Sequence, residues 1–106
     1  MEISPHVKQL SDEIRQLCNP EKIYLFHAKF NLHSQITSFK LCIVADTADK
    51  SELERKIYLE LDCEIPYDLV IYTAAEWEAC MPNSHSFAAE IRDKGVLIYD
   101  KAQASA

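Results

Sequence analysis

Ile3, Val7, Leu10, Ile14 and Leu17 recur at spacings of four, three, four and three residues, which predicts one apolar stripe along a helix. Ser4 followed by Pro5 is a start signal for it, and Asn19-Pro20 stops it. The pattern then changes. Lys22 to Phe30 is apolar and aromatic enough for a strand, and Thr37 to Ala45 predicts a second with Phe39, Leu41 and Ile43 on one face. The short connection from Asn31 to Ile36 suits hairpin-like antiparallel pairing. Asp49 with Glu52 resembles a capping box opening a helix through about Leu61, with Leu53, Ile57 and Leu61 inward. After Pro66, the run YDLVIY from Tyr67 to Tyr72 predicts a strand buried on both faces. Thr73 and Glu76 form a second capping box before a short helix with Trp77, ended by Pro82. A helix from about Ser84 to Lys94 is expected to close on Gly95 in the left-handed conformation, and Val96 to Tyr99 to form a last short strand. The tail KAQASA is expected to fray.

At 106 residues the chain is expected to hold one domain over residues 1–100, with 101–106 as a flexible tail. An apolar fraction of 48% and a charged fraction of 26% are ordinary globular values, and no apolar run is long enough to span a bilayer. The start MEISPHVKQL does not read as a signal peptide, so a soluble, cytoplasmic protein is expected. Cys18, Cys42, Cys63 and Cys80 are dispersed without a C-x-x-C spacing and are read as reduced thiols. A net charge of −6 opposes a phosphate backbone and argues against nucleic-acid binding. The only glycine is Gly95, so no glycine-rich loop exists to cradle a phosphate.

The order helix, strand, hairpin strand, helix, strand, helices, short strand resembles the minimal nucleotidyltransferase domain of the DNA polymerase beta superfamily, over nearly the whole chain. The likeness rests on IYLF at Ile23 to Phe26, on TSFKLCIV, on Asp68 in YDLVIYT followed by EWE, and on IRDKGVLIY from Ile91 to Tyr99. It implies an α/β fold, a mixed central sheet with helices mainly on one face. It also locates where the family's chemistry would lie. His27-Ala28 stands where the family has Gly-Ser, and Ser38 and Lys40 stand where two metal-binding carboxylates would be. Asp68 alone matches the third carboxylate.

Metal-assisted phosphoryl transfer uses hard carboxylate oxygens to hold magnesium, and an ammonium at Lys40 removes a ligand and repels the cation. The resemblance therefore implies a catalytically degenerate module, acting as a protein-binding or regulatory domain, with no metal and no cofactor. Family members of this size work beside small helical proteins in arrangements like toxin and antitoxin pairs, so a small helical partner is the implied one; homo-oligomerisation stays open, and neither nucleic acid nor membrane is expected. Two alternatives are an active nucleotidyltransferase with relocated metal ligands and a metal-independent nucleotide-binding sensor. In the degenerate reading Lys40 is expected to form an ion pair with Asp68 across neighbouring strands, supplying the positive charge that the metal would have brought.

Other residue groups offer less. His27, His33 and Asp68 could surround a metal if the hairpin folded back, although a hairpin histidine is commonly a solvated turn residue. His6 and His85 sit near helix starts and are expected to be exposed. Cys42 is the one cysteine near the vestigial site, in an apolar strand that favours inert burial. Asp46, Asp49, Glu52 and Glu54 suit a solvated helix start. Trp77 and Met81 fit either an exposed interaction patch or packing against the sheet.

Overall fold

The structure, a computed structural model, describes residues 4–104. The elements run α1 (Pro5–Cys18), β1 (Lys22–Phe30), β2 (Ile36–Val44), α2 (Lys50–Glu60), β3 (Tyr67–Tyr72), α3 (Ala74–Cys80), α4 (Phe87–Lys94), β4 (Val96–Asp100) and α5 (Lys101–Ala104). The strands form one sheet in the order β3-β2-β1-β4. It is mixed: β1 is antiparallel to both β2 and β4, whereas β2 and β3 are parallel.

Period-two alternation divides the apolar residues of the sheet between two cores. Ile23 and Leu25 of β1, Phe39, Leu41 and Ile43 of β2, and Leu69 of β3 pack with Val7, Leu10 and Ile14 of α1 and Ile57 of α2. Ile3, the first residue of the predicted stripe, lies outside the described residues. On the opposite face Tyr24, Phe26, Cys42 and Val44 pack with Trp77 of α3 and with Ala88 and Ile91 of α4. The two long helices thus share one face and the two short ones cover part of the other. Each large side chain removed from water here contributes about 1.5–3 kcal/mol, so the deeper cluster under α1 and α2 supplies most of the burial.

The helix ends follow the sequence signals with informative exceptions. Ser4 is the N-cap of α1, but its hydroxyl makes no cap bond, and Pro5 at the first helical position is the working signal. Asn19 ends that helix in the left-handed region (φ 48°), its N–H donating to Arg15 O at 3.1 Å. Asp49 accepts from Glu52 N at 3.1 Å, and Thr73 and Glu76 complete a reciprocal capping box. The helix expected from Ser84 starts at Phe87, because the Ser86 hydroxyl accepts from Ala89 N at 3.1 Å and sets the N-cap there.

Two expectations are corrected, for Tyr67 to Tyr72 and for Gly95. Tyr67 to Tyr72 is not buried on both faces: β3 is a sheet edge, with Leu69 buried and Asp68 exposed. Its Leu69 amide donates to the Tyr58 hydroxyl of α2 at 3.0 Å, which blunts that edge. Gly95 is extended (φ −80°, ψ 176°), not left-handed. A glycine is needed there for space, since a Cβ would lie 2.6 Å from Ile91 O and 3.1 Å from Leu25 O. Of the two alternatives for Trp77, packing against the sheet holds: it is 2% exposed, tilted against Tyr24 at 5.2 Å and edge-on to Tyr72 at 5.5 Å. Lys101 to Ala104 form a helical turn, with Lys101 N donating to Glu21 O at 2.9 Å; the last two residues of the expected tail lie outside the described residues. Among the described residues no helix is long and apolar enough to cross a membrane.

Candidate functional site

The second face of the sheet continues beyond the cover of α3 and α4, and its uncovered end carries the polar residues. Antiparallel pairing sets Phe26 opposite Lys40 and Lys29 opposite Ser38, so three residue steps on β1 match two on β2. The extra residue is a β-bulge at His27-Ala28. His27 takes φ 47°, the left-handed conformation that suits glycine and costs other residues about 1–2 kcal/mol. Among the described residues the other two non-glycine residues with positive φ have ordinary reasons, Asn19 as a helix cap and Ser34 in the hairpin turn. His27 alone holds it inside a strand.

The bulge decides which side chains meet. Without it Ala28 would follow Tyr24 and Phe26 onto this face. With it Ala28 packs against the core under α1 and α2, and Lys29 comes round to the same face as Ser38 and Lys40. Parallel pairing then sets Asp68 of β3 beside Lys40. The result is an open cleft of about 450 Å³ lined by His27, Lys29, Ser38, Phe39, Lys40, Pro66, Tyr67 and Asp68.

Four of the five residues singled out from sequence, His27, Ser38, Lys40 and Asp68, line this cleft; Ala28 does not. Lys29 was missed, since no Gly, Asn or Asp marks the bulge that turns it inward. The expected ion pair between Lys40 and Asp68 is absent. Their Cα positions are cross-strand partners, yet the two side chains make no ion pair. Both reach solvent, Asp68 exposed and Lys40 half-buried, and an exposed pair is worth only about 0–1 kcal/mol against the entropy of fixing a lysine.

Aromatic rings back the cleft on its β3 side. Phe39 and Tyr67 stack at 5.8 Å and Tyr67 and Tyr58 at 5.3 Å. Burial pushes the Tyr67 phenol up to about 12, helped by the nearby Tyr58, and its hydroxyl is buried without a hydrogen-bond partner among the described residues. A small hollow of about 70 Å³ adjoins the cleft across His27, which lies edge-on to Phe26 at 4.9 Å; Phe26 in turn meets the half-exposed Phe87 at 5.7 Å.

The remaining candidates separate in space. His33 sits in the hairpin turn and does not line the cleft with His27 and Asp68, and among the described residues no group of three or more His, Cys, Asp or Glu could hold a metal ion. Cys42 is fully buried, and burial raises its thiol to about 12, which leaves it protonated and unreactive near neutrality. All four cysteines are free thiols. His6 and His85 are exposed. Comparison with protein-family models, with curated proteins and with solved structures returns no match, so the functional reading rests on this geometry and on the residues themselves.

Proposed function

We propose that the chain is a catalytically degenerate nucleotidyltransferase-like module that serves as a binding or regulatory domain for another protein. The observation that carries the reading is the pairing of Lys40 with Asp68 on adjacent strands. Positions 38, 40 and 68, where the resemblance puts three carboxylates, lie on one wall of one cleft, and two of the three carry no carboxylate. The left-handed backbone at His27 supports the same reading, because the resemblance places glycine there. A lone carboxylate with an ammonium beside it gives a divalent cation too few oxygens and an opposing charge. The hairpin supports a protein partner: Phe30 is 59% exposed and Leu32 wholly so, apolar surface that water disfavours and a docked protein would cover.

Incubation with labelled nucleoside triphosphates, magnesium or manganese and candidate acceptors tests the non-catalytic part, and no labelled product is expected. Reproducible transfer that disappears in Asp68→Ala would show the site to be an enzyme with relocated ligands.

A further inference from the structure

Residues 22–45 contain no Asp or Glu, although the chain carries seventeen of them, and they hold Lys22, Lys29 and Lys40. None of these three lysines makes an ion pair among the described residues, whereas seven of the eleven lysines and arginines do, all outside this segment. The β1–β2 hairpin is therefore a cationic projection on a chain of net charge −6.

The hairpin also outruns the sheet. β4 pairs with β1 only from Lys22 to Leu25, so among the described residues Phe26 to Phe30 have no strand on the side away from β2. Asn31 N donates to Gln35 O, and Lys29 O accepts from the Thr37 hydroxyl, both toward β2. Alternation then points the Phe30 N–H and C=O outward at the open edge. An open edge is a template for another strand, and lysines and bulges guard such edges against a second copy of the same chain. Here the guard has a sign: two copies paired through this edge would set Lys29 near Lys29, whereas an acidic segment meets the opposite charge. A hollow of about 70 Å³ adjoins the edge, between Phe26 and His27 of β1 and Phe87, Ile91 and Gly95, and Phe87 is 43% exposed.

We infer that Phe26 to Phe30 of β1 take up an extended, acidic segment of another protein as an added strand in line with β4, with a carboxylate at Lys29 and an apolar side chain two residues on in the hollow beside Phe87. The inference rests on the reading of the chain as a protein-binding module, and it names where the partner docks and in what form. Added strands gain affinity from main-chain hydrogen bonds and specificity from pockets for alternate side chains, and this edge supplies both. The segment is extended because a helix has already used its backbone donors internally. Its register follows from the faces. Lys29 and Phe26 lie on the face shared with α3 and α4, and strand residues two apart share a face, so the acid and the apolar residue are separated by one. The residue between them turns to the other face, beside Ala28 and the 59% exposed Phe30.

Titration of the isotope-labelled full chain, followed by nuclear magnetic resonance, tests this with a threonine-rich peptide, blocked at both ends, that carries glutamate, valine and leucine in succession. The peptide should bind at up to millimolar concentration and slow the hydrogen exchange of the Phe30 amide. Backbone N-methylation of the peptide, which keeps its side chains and removes its donors, should abolish binding, and lysine in place of its glutamate should weaken it. Lys29→Ala should weaken binding about twofold to fivefold, the worth of one exposed ion pair. Phe87→Ala should weaken it about fivefold to tenfold through lost apolar contact. Lys56→Ala, an unpaired lysine on α2, should leave it unchanged. Circular dichroism confirms that each variant is folded. Absence of binding, equal binding by the N-methylated or the lysine peptide, or binding without protection of the Phe30 amide overturns the inference. Labelled transfer in the assay above would overturn the non-catalytic reading instead, so the two failures are distinguishable.

Discussion

Gly95→Ala adds one methyl group where the backbone leaves no room. The new Cβ would stand 2.6 Å from Ile91 O and 3.1 Å from Leu25 O, and neither is the end of a side chain that can swing aside. Ile91 O already accepts from Gly95 N at 2.7 Å, which fixes the end of α4. Leu25 belongs to β1 and pairs with Val96 of β4, so moving it disturbs the inner sheet. Relief requires the junction of α4 and β4 to lift off β1. Forcing a methyl group into packed surroundings costs about 1–3 kcal/mol. Losing glycine's freedom in the unfolded chain returns about 0.4–1 kcal/mol, because φ −80° is accessible to alanine. The net destabilisation should be about 1–2 kcal/mol, equivalent to a fall in Tm of roughly 5–15 °C for a domain of this size. Urea unfolding followed by the fluorescence of Trp77, buried between Tyr24 and Tyr72, measures it, with far-ultraviolet circular dichroism as the second probe. Lys94→Ala, one residue earlier and exposed, should stay within about 0.5 kcal/mol of the parent. A Gly95→Ala protein as stable as the parent would refute the argument that close approach to backbone selects glycine here.

Thiol titration of the unfolded chain without reductant should count four free cysteines, and in the native protein Cys42 should resist modification longest, being fully buried. Stability should fall as pH rises above about 9: Cys42 and Tyr67 are both pushed up to about 12 in the fold, so the unfolded chain loses these protons first and gains relative stability between the two values. Urea midpoints that do not decline from pH 8 to pH 11 would contradict this. Thr73→Ala should cost about 1 kcal/mol through loss of the cap on α3, because its hydroxyl accepts from Glu76 N at 3.2 Å; an unchanged urea midpoint would show that packing of Trp77 alone holds that helix.

Local signals carried the elements. The stripe through Val7, Leu10 and Ile14, the hairpin between two apolar runs and the Thr73–Glu76 box each act over a few residues, so their physics is complete in the chain itself, and the structure reproduces them. The alternation in Phe39, Leu41 and Ile43 likewise determined which face of β2 enters the core under α1 and α2. What failed depended on neighbours distant in sequence. YDLVIY is as apolar as an inner strand, and only the strand order makes it an edge. Gly95 looked like a left-handed helix terminator, and only the folded backbone, with Ile91 O four residues earlier and Leu25 O seventy residues earlier both close to where a Cβ would stand, shows that the requirement is space. The grouping of His27, Ser38, Lys40 and Asp68 at one site was legible through the resemblance, whereas the geometry that joins them, with Lys29 added, was not. It depends on parallel pairing of β2 with β3 and on a one-residue bulge that a histidine does not announce. That bulge brings Lys29 onto the face that alternation alone would have given to Ala28, and so turns a row of side chains into a pair of unpaired cations in one cleft, because register is a property of two strands together.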